Sequence, residues 1–239
     1  MKKNYTKIVF VVDRSGSMGN IAKDIIGGYN KFIADQKALN HGTCDVSFYQ
    51  FDNVYEAVYE NTPLLFVKDL DEKTYIPRGG TALLDAVGRT IDQVGNQLAA
   101  LKEEQRPEKV LVVIITDGEE NSSHFYNSEK IKQMVTHQCD KYKWAFTYIG
   151  ANQDAWAVGN SMGINATSNL TWASNSKGTA NAFSSLNNAT ACYRSVNNAQ
   201  YSYSVADVNL QVDAGAKIDV NKINTIFNNS SNTKPVATP

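Results

Sequence analysis

Two short apolar runs, each ending at an aspartate, constrain this chain more than any other feature. Residues 8–12 read Ile-Val-Phe-Val-Val and stop at Asp13. Residues 110–115 are all branched and apolar, and they stop at Thr116 and Asp117. Runs this short and this rich in β-branched residues read as strands buried on both faces, the pattern of a parallel sheet. In open α/β sheets ligand sites lie outside the carboxyl ends of the strands. Both carboxylates are therefore expected on that edge.

The residues after Asp13 add to this. Asp13-Arg14-Ser15-Gly16-Ser17 places one carboxylate and two hydroxyls on a single tight loop. Hard oxygens on a constrained backbone suit a small divalent cation such as Mg²⁺, which takes about six oxygens near 2.1 Å. A helix is expected from about Met18, with its free N–H groups turned toward the loop. Thr81 follows Gly79-Gly80 and precedes another helix, so its hydroxyl is expected at the same edge. Ser15 and Ser17 as simple helix caps, with Asp117 a mere turn residue, would leave unexplained why both aspartates end buried strands.

Together, Asp-x-Ser-x-Ser, the distant Gly-Gly-Thr and the later Thr-Asp-Gly resemble the metal-ion-dependent adhesion site of von Willebrand factor type A (vWA) domains. The resemblance spans roughly residues 5–195, with the three motifs intact and in order. It implies a Rossmann-like, doubly wound α/β fold: a mainly parallel sheet with one antiparallel edge strand and helices on both faces. It also implies Asp13, Ser15, Ser17, Thr81 and Asp117 as ligands of Mg²⁺ or Mn²⁺, with Ca²⁺ a further option. One coordination position would stay open for an Asp or Glu carboxylate of a protein partner. Arg14, Met18, Arg78, Glu119 and Glu120, with Asn53 and Asn152, would form the rim that selects the partner. Arg14 and Arg78 would pair with its acidic surface, and Asp85, one turn past Thr81, would support the loop or act as a cap. The segments Asp-Arg-Ser-Gly-Ser-Met, Thr-Ala-Leu-Leu-Asp-Ala and Thr-Asp-Gly-Glu-Glu-Asn resemble stand-alone bacterial or phage proteins of this type more than animal adhesion receptors.

Two other functions compete with a metal-dependent interaction module. A Mg²⁺-dependent phosphoryl-transfer enzyme working through an aspartyl phosphate would carry a second aspartate two residues after the first, where this chain has Ser15. No phosphate-binding loop of the Gly-x₄-Gly-Lys-Ser/Thr kind is present. His41, His124 and His137 lie away from any serine elbow, and only His124 falls near the expected edge. The expectation is therefore no enzymatic activity. The second competitor is a structural subunit of a larger assembly, a virion among them, with the C-terminal segment as an assembly arm.

Composition sets the compartment and the scale. The chain has 239 residues, 42% of them hydrophobic, enough for one large domain with an appendage. A net charge of −1 gives no reason to expect nucleic-acid or membrane-surface binding. The charged start and the short apolar run behind it are expected to be a core strand and not a signal peptide. With no secretory signal, the odd set Cys44, Cys139 and Cys192 favours reduced, packed thiols in a cytoplasm.

Periodicity divides the rest of the chain. Strands are expected at 6–13, 44–52, 54–60, 109–116, 144–149 and 164–172, with a tight turn at Asp52-Asn53. Helices are expected at 18–39, 82–104, 127–142, 153–161 and 176–196. Gly27-Gly28 would permit close packing on the sheet. The vWA-like domain is placed at 1–196 and an appendage at 197–239. Within the appendage, residues 201–205 and 208–212 alternate with period two and suggest a hairpin. Residues 218–227 form an amphipathic turn set, and 228–239 a flexible polar tail.

Overall fold

The computed structural model describes residues 1–151 and 153–230. Six strands form one sheet: β1 (Lys2–Asp13), β2 (Thr43–Phe51), β3 (Tyr55–Pro63), β4 (Pro107–Thr116), β5 (Ala145–Ala151) and β6 (Asn169–Trp172). Their order is β3-β2-β1-β4-β5-β6. All neighbours are parallel except β2 and β3, which form the expected antiparallel edge hairpin. The helices are α1 (Ala22–Ala38), α2 (Leu83–Ala99), α3 (Ser128–Tyr142), α4 (Ala155–Ser161), α5 (Ser176–Ser195), α6 (Val205–Asp213) and α7 (Val220–Ser230). The architecture is α/β and Rossmann-like, with one apolar core on each face of the sheet.

Alternation along β1 divides the cores. Ile8, Phe10 and Val12 face α1 and α5, while Val9 and Val11 face α2 and α3. Phe10 sits edge-on to Tyr29 and Phe32 of α1, with ring centroids 5.0 and 5.3 Å apart. Such pairs add about 0.5–1.5 kcal/mol beyond the area they bury. The close approach at Gly28 is to a helix, not to the sheet. A Cβ there would meet the Phe183 ring of α5 at 2.2 Å, whereas Gly27 has nothing within 4 Å.

The thiols differ from one another: Cys44 is buried, Cys139 half-buried and Cys192 exposed, so only the first is the packed residue expected. The helix after Thr81 ends at Ala99, short of the expected 104, and Leu101 is left exposed.

The larger departure lies past residue 197. The segment expected as a hairpin is α6, because Ser204 and Asp207 form a capping box at its start. Tyr203 N–H donates to the Thr167 carbonyl beside β6. Tyr201, Tyr203, Val208 and Ile223 are buried in the core shared with α1 and α5. Residues 220–230 are helical, in keeping with the amphipathic pattern. Asn152 and the tail beyond residue 230 fall outside the described residues. Among the described residues, no helix is long and apolar enough to cross a membrane.

Candidate metal centre

From β1 the chain turns outward to β2 on one side, and from β4 it continues to β5 on the other. The crevice above β1 and β4 is thus the topological switch point, where open α/β sheets hold ligands. Asp13 ends β1 there, with no exposed surface. Its Oδ1 accepts the Ser15 N–H at 2.6 Å, and its Oδ2 accepts the Thr116 hydroxyl at 2.6 Å. Buried Tyr75 donates its hydroxyl to the Asp13 carbonyl at 2.5 Å. Burial pushes the Asp13 carboxyl up to about 6 despite these donors. Burial also raises Asp117 above the usual carboxylate range.

The other oxygens gather from three loops. Ser17 donates to Asp117 Oδ1 at 2.6 Å, and Ser15 Oγ lies 3.0 Å from Ser17 Oγ. Gly118 lies beside three of these side chains. A Cβ at that position would lie 2.9 Å from Thr81 Oγ1, 3.5 Å from Ser17 Oγ and 3.7 Å from Asp13 Oδ2. The structure therefore brings Asp13, Ser15, Ser17, Thr81 and Asp117 into one cluster of hard oxygen donors. Two of them are carboxylates whose ionised forms are poorly solvated. That donor set, with one buried and one half-buried carboxylate and, among the described residues, no cationic side chain bonded to either, fits a divalent cation.

Backbone contacts set the loops against one another. Gly16 N–H donates to the Gly79 carbonyl at 3.1 Å, and Arg78 N–H to the Arg14 carbonyl at 2.7 Å. Gly79 has φ +69°, a left-handed conformation that suits glycine. Thr81 is held from both sides: its N–H donates to Asn121 Oδ1 at 2.9 Å, and its carbonyl accepts the Asn121 N–H at 3.1 Å.

The rim departs from the sequence expectation at several positions. Met18 is fully buried in the apolar core and lies off the rim. Arg14 is only 3% exposed and turned inward. Its Nη1 donates to Glu56 at 2.7 Å, and its Nε lies 3.1 Å from Asp52. Arg78 keeps 55% of its side chain exposed, but its Nε also donates to Asp52, at 2.8 Å. Glu120 faces the start of α2. It accepts the Leu84, Ser122 and Ser123 N–H groups at 2.8–2.9 Å, binding the loop to the helix terminus. Glu119 stands exposed beside it, and Asn53 accepts the Gly80 N–H at 2.7 Å. Asp85 supports the loop: its carboxylate accepts the N–H groups of His124, Phe125 and Tyr126 at 2.8–2.9 Å and is held below the usual range by them despite partial burial.

Sequence reasoning missed three contributors: Asp52, Tyr75 and Thr116. Asp52 carried a usable signal, since it is a third aspartate directly following a strand. Thr116 was inside the quoted motif without a role of its own.

No protein-family model matches the sequence, and no curated protein sequence matches it. Solved structures do. The vWF domain of the type V pili tip protein Mfa5 from Porphyromonas gingivalis aligns at 12% identity and TM-score 0.57, over 82% of this chain and 98% of that one. Proximal thread matrix protein 1 from the mussel byssus, with a zinc-occupied MIDAS motif, aligns at 14% identity and TM-score 0.55, over 78% of this chain and 46% of that one. A von Willebrand factor type A protein from Catenulispora acidiphila aligns at 12% identity and TM-score 0.52, covering 78% and 42%. The chain thus spans less than half the length of the latter two. These likenesses show the fold, that of vWA domains.

Proposed function

We propose that this chain is a metal-dependent protein-interaction module, with a divalent cation held by Asp13, Ser15, Ser17, Thr81 and Asp117. The convergence of these oxygens around Gly118, at the switch point of a vWA-type sheet, carries the reading. Mg²⁺ or Mn²⁺ suits the all-oxygen donor set. The mussel structure with zinc at its MIDAS motif supports a divalent ion in this fold. A bound cation supplies a Lewis-acidic position that an Asp or Glu side chain of a partner can take. The protein's own part is to orient five oxygens and to brace Thr81 and Asp13 through Asn121 and Thr116. Neither role calls for catalytic turnover, and the chain is read as a non-enzyme.

The test is calorimetric titration of Mg²⁺ and Mn²⁺ into chelator-stripped protein, beside Asp13→Ala. Saturable binding to wild type, lost in the variant, is expected. Acetate or an acidic peptide should tighten it. If wild type binds neither cation, with or without acetate, the metal reading is wrong.

A further inference from the structure

Of the cations near the proposed metal, Arg14 and Arg78 both answer to Asp52, and Arg14 also to Glu56. The charge left to meet a partner lies elsewhere. Arg89, on α2, is exposed, and among the described residues no carboxylate comes within ion-pair distance of it. Its guanidinium instead lies 5.1 Å from the centroid of the Phe125 ring, a side chain that is itself 73% exposed. A cation–π contact with a solvent-facing phenyl ring restrains the guanidinium beside the ring while leaving it exposed to solvent.

Between this pair and the metal-site loops lies a cavity of about 50 Å³. That volume fits a single carboxylate group or one or two waters. Asn53, Ala82, Arg89, Ser122, His124 and Phe125 are among its walls. Its two acidic neighbours are already engaged. Asp52 holds two arginines, and Asp85 accepts three backbone N–H groups and feels the charge of Arg89 only from beyond ion-pair distance. What remains without a carboxylate in ion-pair reach is the Arg89 guanidinium, beside the His124 imidazole and next to Ala82, the neighbour of Thr81. Arg89 lies six residues into α2 from Leu83, about 9 Å along the helix axis.

We infer that Arg89 and Phe125 form a second anion subsite, which takes a second acidic side chain of the same protein partner. It rests on the reading of the metal as the receptor of the first acid. Both acids would sit on one short segment of the partner, since Ala82, the neighbour of Thr81, and Arg89 line the same cavity. A single acid in an apolar setting would use only half of the site.

Two peptides test this on the full chain loaded with Mn²⁺: acetyl-Asp-Gly-Gly-Asp-amide and acetyl-Asp-Gly-Gly-Asn-amide. Wild type should bind the first roughly three- to ten-fold more tightly, the range of an exposed but pre-oriented arginine–carboxylate pair. Arg89→Gln should abolish the difference and leave Mn²⁺ affinity unchanged. Phe125→Ala, at an exposed position, should shrink it by loosening the guanidinium. Equal binding of the two peptides by wild type, or a preference that survives in Arg89→Gln, overturns the subsite while leaving the metal reading intact. If Mn²⁺ binds but neither peptide does, carboxylate capture at the metal fails, and the subsite fails with it.

Discussion

Gly118→Ala separates the metal site from the fold, because it adds a methyl group without removing a donor. The added carbon would fall 2.9 Å from Thr81 Oγ1, 3.5 Å from Ser17 Oγ and 3.7 Å from Asp13 Oδ2, in the space those oxygens surround. Gly118 is not among the residues with positive φ, so alanine meets no backbone strain there. The tightest contact is to a threonine hydroxyl, which can retreat by a few tenths of an ångström at a cost of about 1 kcal/mol. Restricting the unfolded chain returns about 0.4–1 kcal/mol. The metal-free variant should therefore match wild type in stability to within about 1 kcal/mol. With cation the two diverge. At a concentration 100 times Kd, binding stabilises wild type by about 2.7 kcal/mol. An unfolding entropy of about 2.1 cal/mol/K per residue gives a chain of 239 residues about 0.5 kcal/mol/K, so Tm should rise by about 5 °C. Gly118→Ala should show a rise below about 1 °C at the same Mg²⁺ concentration. Gly19→Ala, where an added Cβ meets nothing within 4 Å, is the control and should respond like wild type. A Gly118→Ala protein that is folded and gains the full Mg²⁺-dependent shift would refute the placement of the cation among these oxygens.

Three further substitutions probe the scaffold. Lys7 is 1% exposed, donates to Ser47 and Asn61, and is lowered by burial from 10.5 to about 8. Between those two values the native state binds fewer protons than the unfolded one, so wild-type stability should climb with pH through this window, by about 3 kcal/mol in all. Lys7→Met should lack the climb. It should also be more stable at pH 7 by about 1–2 kcal/mol after the loss of two hydrogen bonds, as urea melts at pH 7 and pH 10 would show. Asp85→Ala strips the acceptor from three N–H groups and should cost about 2–3 kcal/mol by chemical denaturation, while Mn²⁺ affinity falls less than about ten-fold, since no donor is lost. Ser204→Ala removes half of a capping box and should cost about 1 kcal/mol in the same assay; no change would mean that packing alone holds α6.

The five clustered oxygens were legible in the sequence because their geometry is local. Each sits on a short loop directly after a strand or before a helix, so its position follows from elements that periodicity already marks. Gly79, Thr81 and Asp117 need only the register of their own strand or helix to reach the edge. The C-terminal segment was less legible for a related reason. Residues 201–212 satisfy a period of two almost as well as a period of 3.6. The tie is broken by Ser204 and Asp207, whose reciprocal bonds close the first turn of a helix.

Side-chain direction on the rim follows a different rule, and the adjacent pair Glu119 and Glu120 illustrates it. Both lie on the loop after β4, one residue apart, yet one faces water and the other satisfies the opening N–H groups of α2. Nothing in the sequence distinguishes them, because the difference depends on a helix 36 residues away. Arg14 and Arg78 follow the same logic through Asp52. A buried carboxylate without a partner is costly, so both guanidiniums bond to Asp52, Arg14 from within the fold and Arg78 from its surface. The positive charge expected at the rim is thus consumed by the scaffold that holds the loops together. What faces a partner is then set by the residues the scaffold does not need. At this edge those include exposed Glu119 and the cation–π pair Arg89 and Phe125. On the proposed reading, partner choice would therefore depend less on which charges the loops carry than on which of them the fold leaves without a carboxylate in ion-pair reach.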